Sequence, residues 1–199
     1  MQEVYRCHLP YDIFIKLKEH VKNVQDNKDH NKSLAGNIEV EKQIEECIPL
    51  VKDFLIKQIK NHTILNEHIK KTCLKKIDDS DKGEIVLPNL WVNFQKKHEF
   101  NPLHDHSGVI SFIIFIQIPY LMEDLIKNSP GVNSNTPLAG HLTFVKNGFT
   151  QPQIVNVPVD KTYEQQCFIF PADLLHCVYP FYNTDETRIT ISGNFYVKY

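Results

Sequence analysis

The stretch Asn101-Pro102-Leu103-His104-Asp105-His106-Ser107-Gly108 places two imidazoles one residue apart, just ahead of the apolar run Val109 to Ile118. Side chains on extended backbone alternate with a period of two, so His104 and His106 point to one side and Asp105 to the other. Two same-side imidazoles are half of a metal site, because packing alone rarely needs them. The natural third ligand is His176, which the turn Pro171-Ala172-Asp173 presents just after the buried-looking strand Cys167 to Phe170. Asp105 is expected to stay outside the ligand set unless a bulge turns it toward the metal.

A second chemical signal lies near the C-terminus, in Arg188-Ile189-Thr190-Ile191-Ser192-Gly193-Asn194-Phe195. Alternation puts Arg188, Thr190, Ser192 and Asn194 on one face and Ile189, Ile191 and Phe195 on the other. With the polar face turned inward, an arginine and a hydroxyl two residues on are ready to take a carboxylate by a bidentate, charge-assisted contact.

The elements that must position these groups change character along the chain. After Pro10, Phe14, Leu17, Val21 and Val24 mark one face of an amphipathic helix. Pro49 and the stripe Val51, Phe54, Leu55 and Ile59 mark a second. His8, His20, His30, His62 and His68 share no spacing in this part and read as surface or core-edge residues. From Gly83 onward, β-branched and aromatic residues concentrate between prolines and glycines. Strands are expected near Glu84 to Leu87, Leu90 to Gln95, Val109 to Ile118, Leu142 to Lys146, Ile154 to Val157, Cys167 to Phe170 and Arg188 to Val197. Between them, Tyr120 to Ala139 holds Pro130-Gly131 and Asn133-Ser134-Asn135 and reads as a long loop. The expected fold is α+β: one domain over residues 1–199, with 1–82 mainly a helical support and 83–199 a jelly roll carrying those helices on one sheet.

Length and charge agree with a single catalytic or binding domain. The 199 residues are 42% hydrophobic, enough for a real core. Lysine and arginine number 22 against 24 acids, so no global charge favours nucleic acid or an anionic membrane. Five scattered cysteines without a C-x-x-C pair argue against a disulfide framework or a zinc ribbon and read as reduced thiols. The first residues lack the apolar run of a secretory signal and no stretch approaches the ~20 apolar residues of a membrane span. A soluble, cytoplasmic protein is expected, acting on a small molecule or a protein side chain.

The order His-x-His, long gap, Phe-Pro-x-x-x-x-His, then Arg-x-Thr-x-Ser-x-Asn resembles the iron(II)- and 2-oxoglutarate-dependent dioxygenases. Within them it is most similar to a phage and marine-bacterial group related to the prolyl-hydroxylase-like enzymes, over roughly Leu90 to Val197. Leu34-Ala35-Gly36-Asn37 looks like the segment that precedes the helical support in that group. The resemblance implies a double-stranded β-helix with Fe(II) at one open end, held by His104, His106 and His176, where His106 stands in the place of the commoner carboxylate. It also implies that Arg188 and Thr190 bind the distal carboxylate of 2-oxoglutarate and that Asn93 reaches this cosubstrate. The implied reaction uses O2, releases succinate and CO2 and hydroxylates a substrate. Phe112, Phe115 and Phe168 are candidates for a dry wall beside the metal, although they read first as ordinary core.

Two other classes fit parts of the pattern. A cupin shares the barrel, but its first motif wants a glutamate a few residues after His-x-His, and Ser107 to Phe112 has none. A non-catalytic jelly-roll module would have no need of three histidines and Arg188 converging.

Overall fold

The computed structural model describes residues 2–74, 83–148 and 150–199. Stretch 75–82, which closes the expected helical half, lies outside the described residues. Strands and helices follow in the order β1 (Tyr5–His8), α1 (Tyr11–His20), β2 (Val40–Gln43), α2 (Ile48–Asn61), α3 (Thr63–Leu74), β3 (Glu84–Gln95), β4 (Asn101–His104) and β5 (Ile110–Gln117). They continue with α4 (Met122–Lys127), β6 (Leu142–Lys146), β7 (Gln153–Val157), β8 (Gln166–Pro171), β9 (Leu175–Val178) and β10 (Arg188–Lys198).

The strands form two antiparallel sheets, a six-stranded one in the order β1-β8-β5-β10-β3-β2 and a four-stranded one in the order β4-β9-β6-β7. Facing sheets of this kind make the expected jelly roll, and alternation along each strand divides the apolar residues between two cores. On the outer face of the large sheet, Val92, Phe112, Ile114, Ile169, Ile191 and Phe195 pack against Phe14 and Leu17 of α1 and Val51, Leu55 and Ile59 of α2. Between the sheets lie Ile113, Phe115, Leu142, Phe144, Phe168 and Phe170. Both expected helices are therefore present with the anticipated faces buried, and the helices cover one sheet. No helix of the described residues is long and apolar enough to cross a membrane.

Several elements differ from expectation for identifiable reasons. The two strands expected on either side of Pro88 are one, β3, because the register shift between Asn194 and Tyr196 of β10 falls opposite this residue, which has no N–H to give the ladder. The N-terminal part is not only a helical support: β1 and β2 pair with β8 and β3 and close the two edges of the large sheet. Tyr120 to Ala139 is not loop throughout, since α4 folds inside it and buries Leu125. Phe112 faces the helices rather than the barrel interior, which removes it from any wall beside the metal.

Candidate active site

The site lies between the sheets at one end of the barrel. β4 and β9 are antiparallel neighbours in which His104 and His176 stand directly opposite each other, across a register irregularity that follows Asn101. His176 thus sits on a strand of its own, directly after the turn expected to present it. His106 lies two residues past His104, beyond the end of β4, and its N–H donates to the Ala172 carbonyl at 2.8 Å, which ties the chain after β4 to the turn before β9. The three rings come together with centroids 4.3 to 4.9 Å apart. One ligand nitrogen from each lies within 4.8 Å of the other two, a grouping that could hold a metal ion. Asp105, between the two histidines, is exposed and stands outside this grouping.

Backbone contacts decide which nitrogen each ring offers. A carbonyl can only accept, so the contacts of His104 Nδ1 with Pro102 O (2.7 Å) and of His176 Nδ1 with Leu174 O (2.9 Å) put the proton on Nδ1. Nε2 of each ring then carries the free lone pair, which is the usual arrangement for a metal-ligating histidine. His106 Nε2 and His176 Nε2 face each other at 3.2 Å. Two nitrogens ~2.1 Å from one ion and at right angles would lie about 3 Å apart, so this spacing suits a shared metal. Burial, with the His104 charge adding to it, pushes the His106 pKa down to about 4. Burial, then His104 and His106, push that of His176 down to about 3. Both rings are neutral at physiological pH, as ligands must be.

Behind the histidines a cavity runs inward, lined by Asn93, Arg188, Thr190 and Ser192 as well as by the apolar Ile113, Leu142 and Val178. The polar face of β10 does turn inward. Arg188 is only 2% exposed. Its Nη1 donates to Tyr120 Oη (3.2 Å) and to the Gly140 carbonyl (3.3 Å), while Nε has no partner. Among the described residues no carboxylate pairs with it. A buried guanidinium without an anion is costly, and a cavity that leaves its fork free is shaped for one. Gly140 is needed for this contact: it adopts φ +72°, and a Cβ there would come within 2.5 Å of Leu125 and 3.0 Å of Tyr120 Oη. Thr190 Oγ1 accepts from Asn93 Nδ2 at 3.1 Å.

Tyr120 and Gly140 carry no motif, and the sequence offers no signal that they meet Arg188. Trp91 is a second unanticipated neighbour, its ring 6.2 Å from His106 and 5.0 Å from His30. Leu34, Ala35 and Ile38 close the outer side of the cavity, so the Leu34 to Asn37 segment forms part of its wall. The apolar surroundings of His176 are Phe144 and Phe170, with ring centroids 6.0 and 5.0 Å away. Phe115 and Phe168 belong to the same inter-sheet core but are not among the residues lining the cavity. On the outer side of His104 and His106 a separate cleft opens, lined mainly by polar groups that include His30, Gln43, Asn89, Asp105, Asn194 and Tyr196.

Residues 89–194 match the family described as "Putative 2OG-Fe(II) oxygenase". No individual curated protein matches the sequence. Among solved structures, a prolyl-4-hydroxylase from Pseudomonas putida superposes with a TM-score of 0.53 at 12% identity, over 98% of this chain and 92% of that one. A viral collagen prolyl hydroxylase from Paramecium Bursaria Chlorella virus-1, in complex with 2OG, gives 0.53 at 10% identity over 97% and 95%. A non-heme alpha ketoglutarate dependent carbocyclase from nogalamycin biosynthesis gives 0.55 at 10% identity over 99% and 80%. At such identities the likeness is one of fold.

Proposed function

This chain belongs to the 2OG-Fe(II) oxygenase family, and from that premise we propose that it is a hydroxylase in which His104, His106 and His176 hold the iron and Arg188, with Thr190 and Asn93, holds 2-oxoglutarate. Its cofactors are iron(II) and 2-oxoglutarate, and O2 is its cosubstrate. The observation that carries the residue assignment is the shared cavity: it is lined by three converging imidazoles and by a buried guanidinium that has no carboxylate partner among the described residues. A set of three neutral ligands leaves the metal one negative charge short of the commoner two-histidine, one-carboxylate site. Bound there, the dianionic cosubstrate would supply that charge, and Arg188 would hold its other carboxylate.

When bound, the iron and 2-oxoglutarate supply O2 activation, with release of succinate and CO2 and transfer of one oxygen atom to the substrate. What the chain contributes is placement. Pro102 and Leu174 carbonyls hold the Nδ1 protons of His104 and His176, keeping both Nε2 lone pairs aimed inward. Tyr120 and Gly140 fix one arm of the guanidinium, so the rest of the fork is preorganised for a carboxylate. Ile113, Leu142 and Val178 exclude water from the space between, which strengthens each of these contacts. The substrate, a small molecule or a protein side chain, approaches through the polar cleft that shares His104 and His106 with the inner cavity.

The ligand set makes a sharp pair of expectations. His106→Ala abolishes iron binding in an anaerobic titration, whereas Asp105→Ala leaves it nearly intact. The reverse pattern would mean that the chain after β4 rearranges to offer a carboxylate.

The reading as a whole is tested by adding 2-oxoglutarate to the iron-loaded protein without O2. A weak visible metal-to-ligand charge-transfer band is expected, followed on admitting O2 by slow succinate formation even without substrate. Iron binding with neither band nor succinate would instead favour a bare metal-binding or cupin-like role.

A further inference from the structure

β2, β3 and β10 lie side by side in the large sheet, and their register sets Glu41 opposite Asn93 and Asn93 opposite Thr190. Directly opposed residues of antiparallel strands point to the same face, so these three side chains form one row across the inner wall of the barrel. The row ends at the cavity that holds Arg188. Its hydrogen bonds are incomplete in an informative way. Asn93 gives its Nδ2 proton to Thr190 Oγ1, but its buried Oδ1 accepts from nothing among the described residues. Glu41, in the next place along the row, is 2% exposed, and its buried Oε1 also lacks a partner.

Two oxygen acceptors in adjacent places cannot satisfy each other unless one of them carries a proton. Among the described residues no cation resolves the conflict. Lys42 points to the opposite face and pairs with Asp29, and Lys96 pairs with Glu39. Arg188 is engaged by Tyr120 and Gly140, and His30, whose pKa burial lowers, bonds through its ring to Gln43. The acid that bears on Glu41 is Glu99, in the turn after β3, and it repels a second negative charge. Resting on the reading above that Thr190 faces the cosubstrate, we infer that Glu41 is a positioning residue kept as the neutral acid, donating its O–H to Asn93 Oδ1. The consequence is a chain of donors with one direction: Glu41 to Asn93, Asn93 to Thr190, and the Thr190 hydroxyl proton left for the cosubstrate carboxylate beside Arg188. Burial, with Glu99 adding to it, raises the Glu41 pKa to about 7, which agrees with that state.

Ionisation reverses the chain. A carboxylate at Glu41 draws the Asn93 amide round to donate to it. Asn93 Oδ1 then faces Thr190, and the Thr190 proton is spent on the amide instead of the cosubstrate. Glu41 therefore sets the pH range over which 2-oxoglutarate binds well.

The test is 2-oxoglutarate affinity of the iron-loaded protein from about pH 6 to pH 8.5, in the parent, Glu41→Gln and Thr190→Val. In the parent the affinity should weaken roughly threefold to tenfold across this range, the size of one neutral hydrogen bond. Glu41→Gln, whose amide donates at any pH, should keep the parent's low-pH affinity throughout, and Thr190→Val should be weak and flat. Two readings need no cofactor. A protonated-carboxyl infrared band should be present in the metal-free parent at pH 6, fade by pH 8.5 and be missing in Glu41→Gln. Unfolding stability of the metal-free parent, relative to Glu41→Gln, should fall as pH rises from the ordinary glutamate value through about 7 and then level off, because only the native state holds the extra proton in that window. Equal pH slopes in parent and Glu41→Gln, or no such band, overturn the inference while leaving the site assignment standing. Should Arg188→Met bind 2-oxoglutarate as tightly as the parent, the site assignment falls and this inference with it.

Discussion

Replacing His176 with alanine is expected to lower ferrous-ion affinity by at least ~100-fold, to where anaerobic titration detects no stoichiometric binding. Removing even an outer partner of a metal ligand typically weakens binding about tenfold to a hundredfold, and His176 is itself one of the three ligands grouped among the described residues, a set without a carboxylate. Its strand partner His104 and its Nε2 neighbour His106 would be left as an incomplete pair. The side chain is 2% exposed and sits among Phe144 and Phe170, so truncation also leaves a cavity. A stability loss of about 2 kcal/mol is the order expected from such a cavity, too small to mimic the loss of iron by unfolding. Thermal unfolding measured beside the titration separates the two effects. Unchanged iron affinity in a folded His176→Ala protein would place the metal elsewhere.

Arg188→Met should give a double signature that an ordinary core substitution does not. With iron present, 2-oxoglutarate affinity should fall by the ~1.5 to 3 kcal/mol of a hydrogen bond to a charged group, about tenfold to a hundredfold. Without cosubstrate, the variant should be at least as stable as the parent. In the parent the guanidinium is buried with no anionic partner among the described residues and with Nε unpaired there, and methionine fills much the same space without a charge to desolvate. Excess 2-oxoglutarate should raise the unfolding temperature of the parent strongly and of the variant little, by the usual mass-action linkage. A variant that is both destabilised and unchanged in 2-oxoglutarate affinity would make Arg188 a structural residue.

Much of this site was legible because its residues obey short-range rules. The period of two places Thr190 beside Arg188 on the inner face of β10 without knowledge of the partner strands, and the same period separates Asp105 from its histidine neighbours. His106 keeps to the same side as His104 even though it lies beyond the end of β4, held there by its N–H bond to Ala172. What could not be read was set by contacts between distant segments. β4 and β9 are four residues each and carry too little apolar pattern to signal a strand, so the direct opposition of His104 and His176 emerges only from their pairing. Phe112 and Phe115 look alike in an unbroken apolar run, Phe112 to Ile116, that is buried on both faces. Only the sheet tells that one meets the helices and the other the barrel interior. Tyr120 reaches Arg188 across 68 positions, a distance at which no local pattern operates.

The two contacts of the Arg188 guanidinium have a consequence for how this chain can vary. Tyr120 opens, and Gly140 closes, the excursion between β5 and β6, so both ends of that excursion are fastened to one side chain. Residues 131–136 at its tip are exposed, while α4 buries Leu125 in the core beside Tyr120 and Gly140. Once both feet are fixed, lengthening the tip changes only the entropy of closing a loop, about 0.6 kcal/mol for each doubling of its length. The tip is therefore the place where segments of different size and character can be exchanged or grafted while the arginine's footing stays as it is.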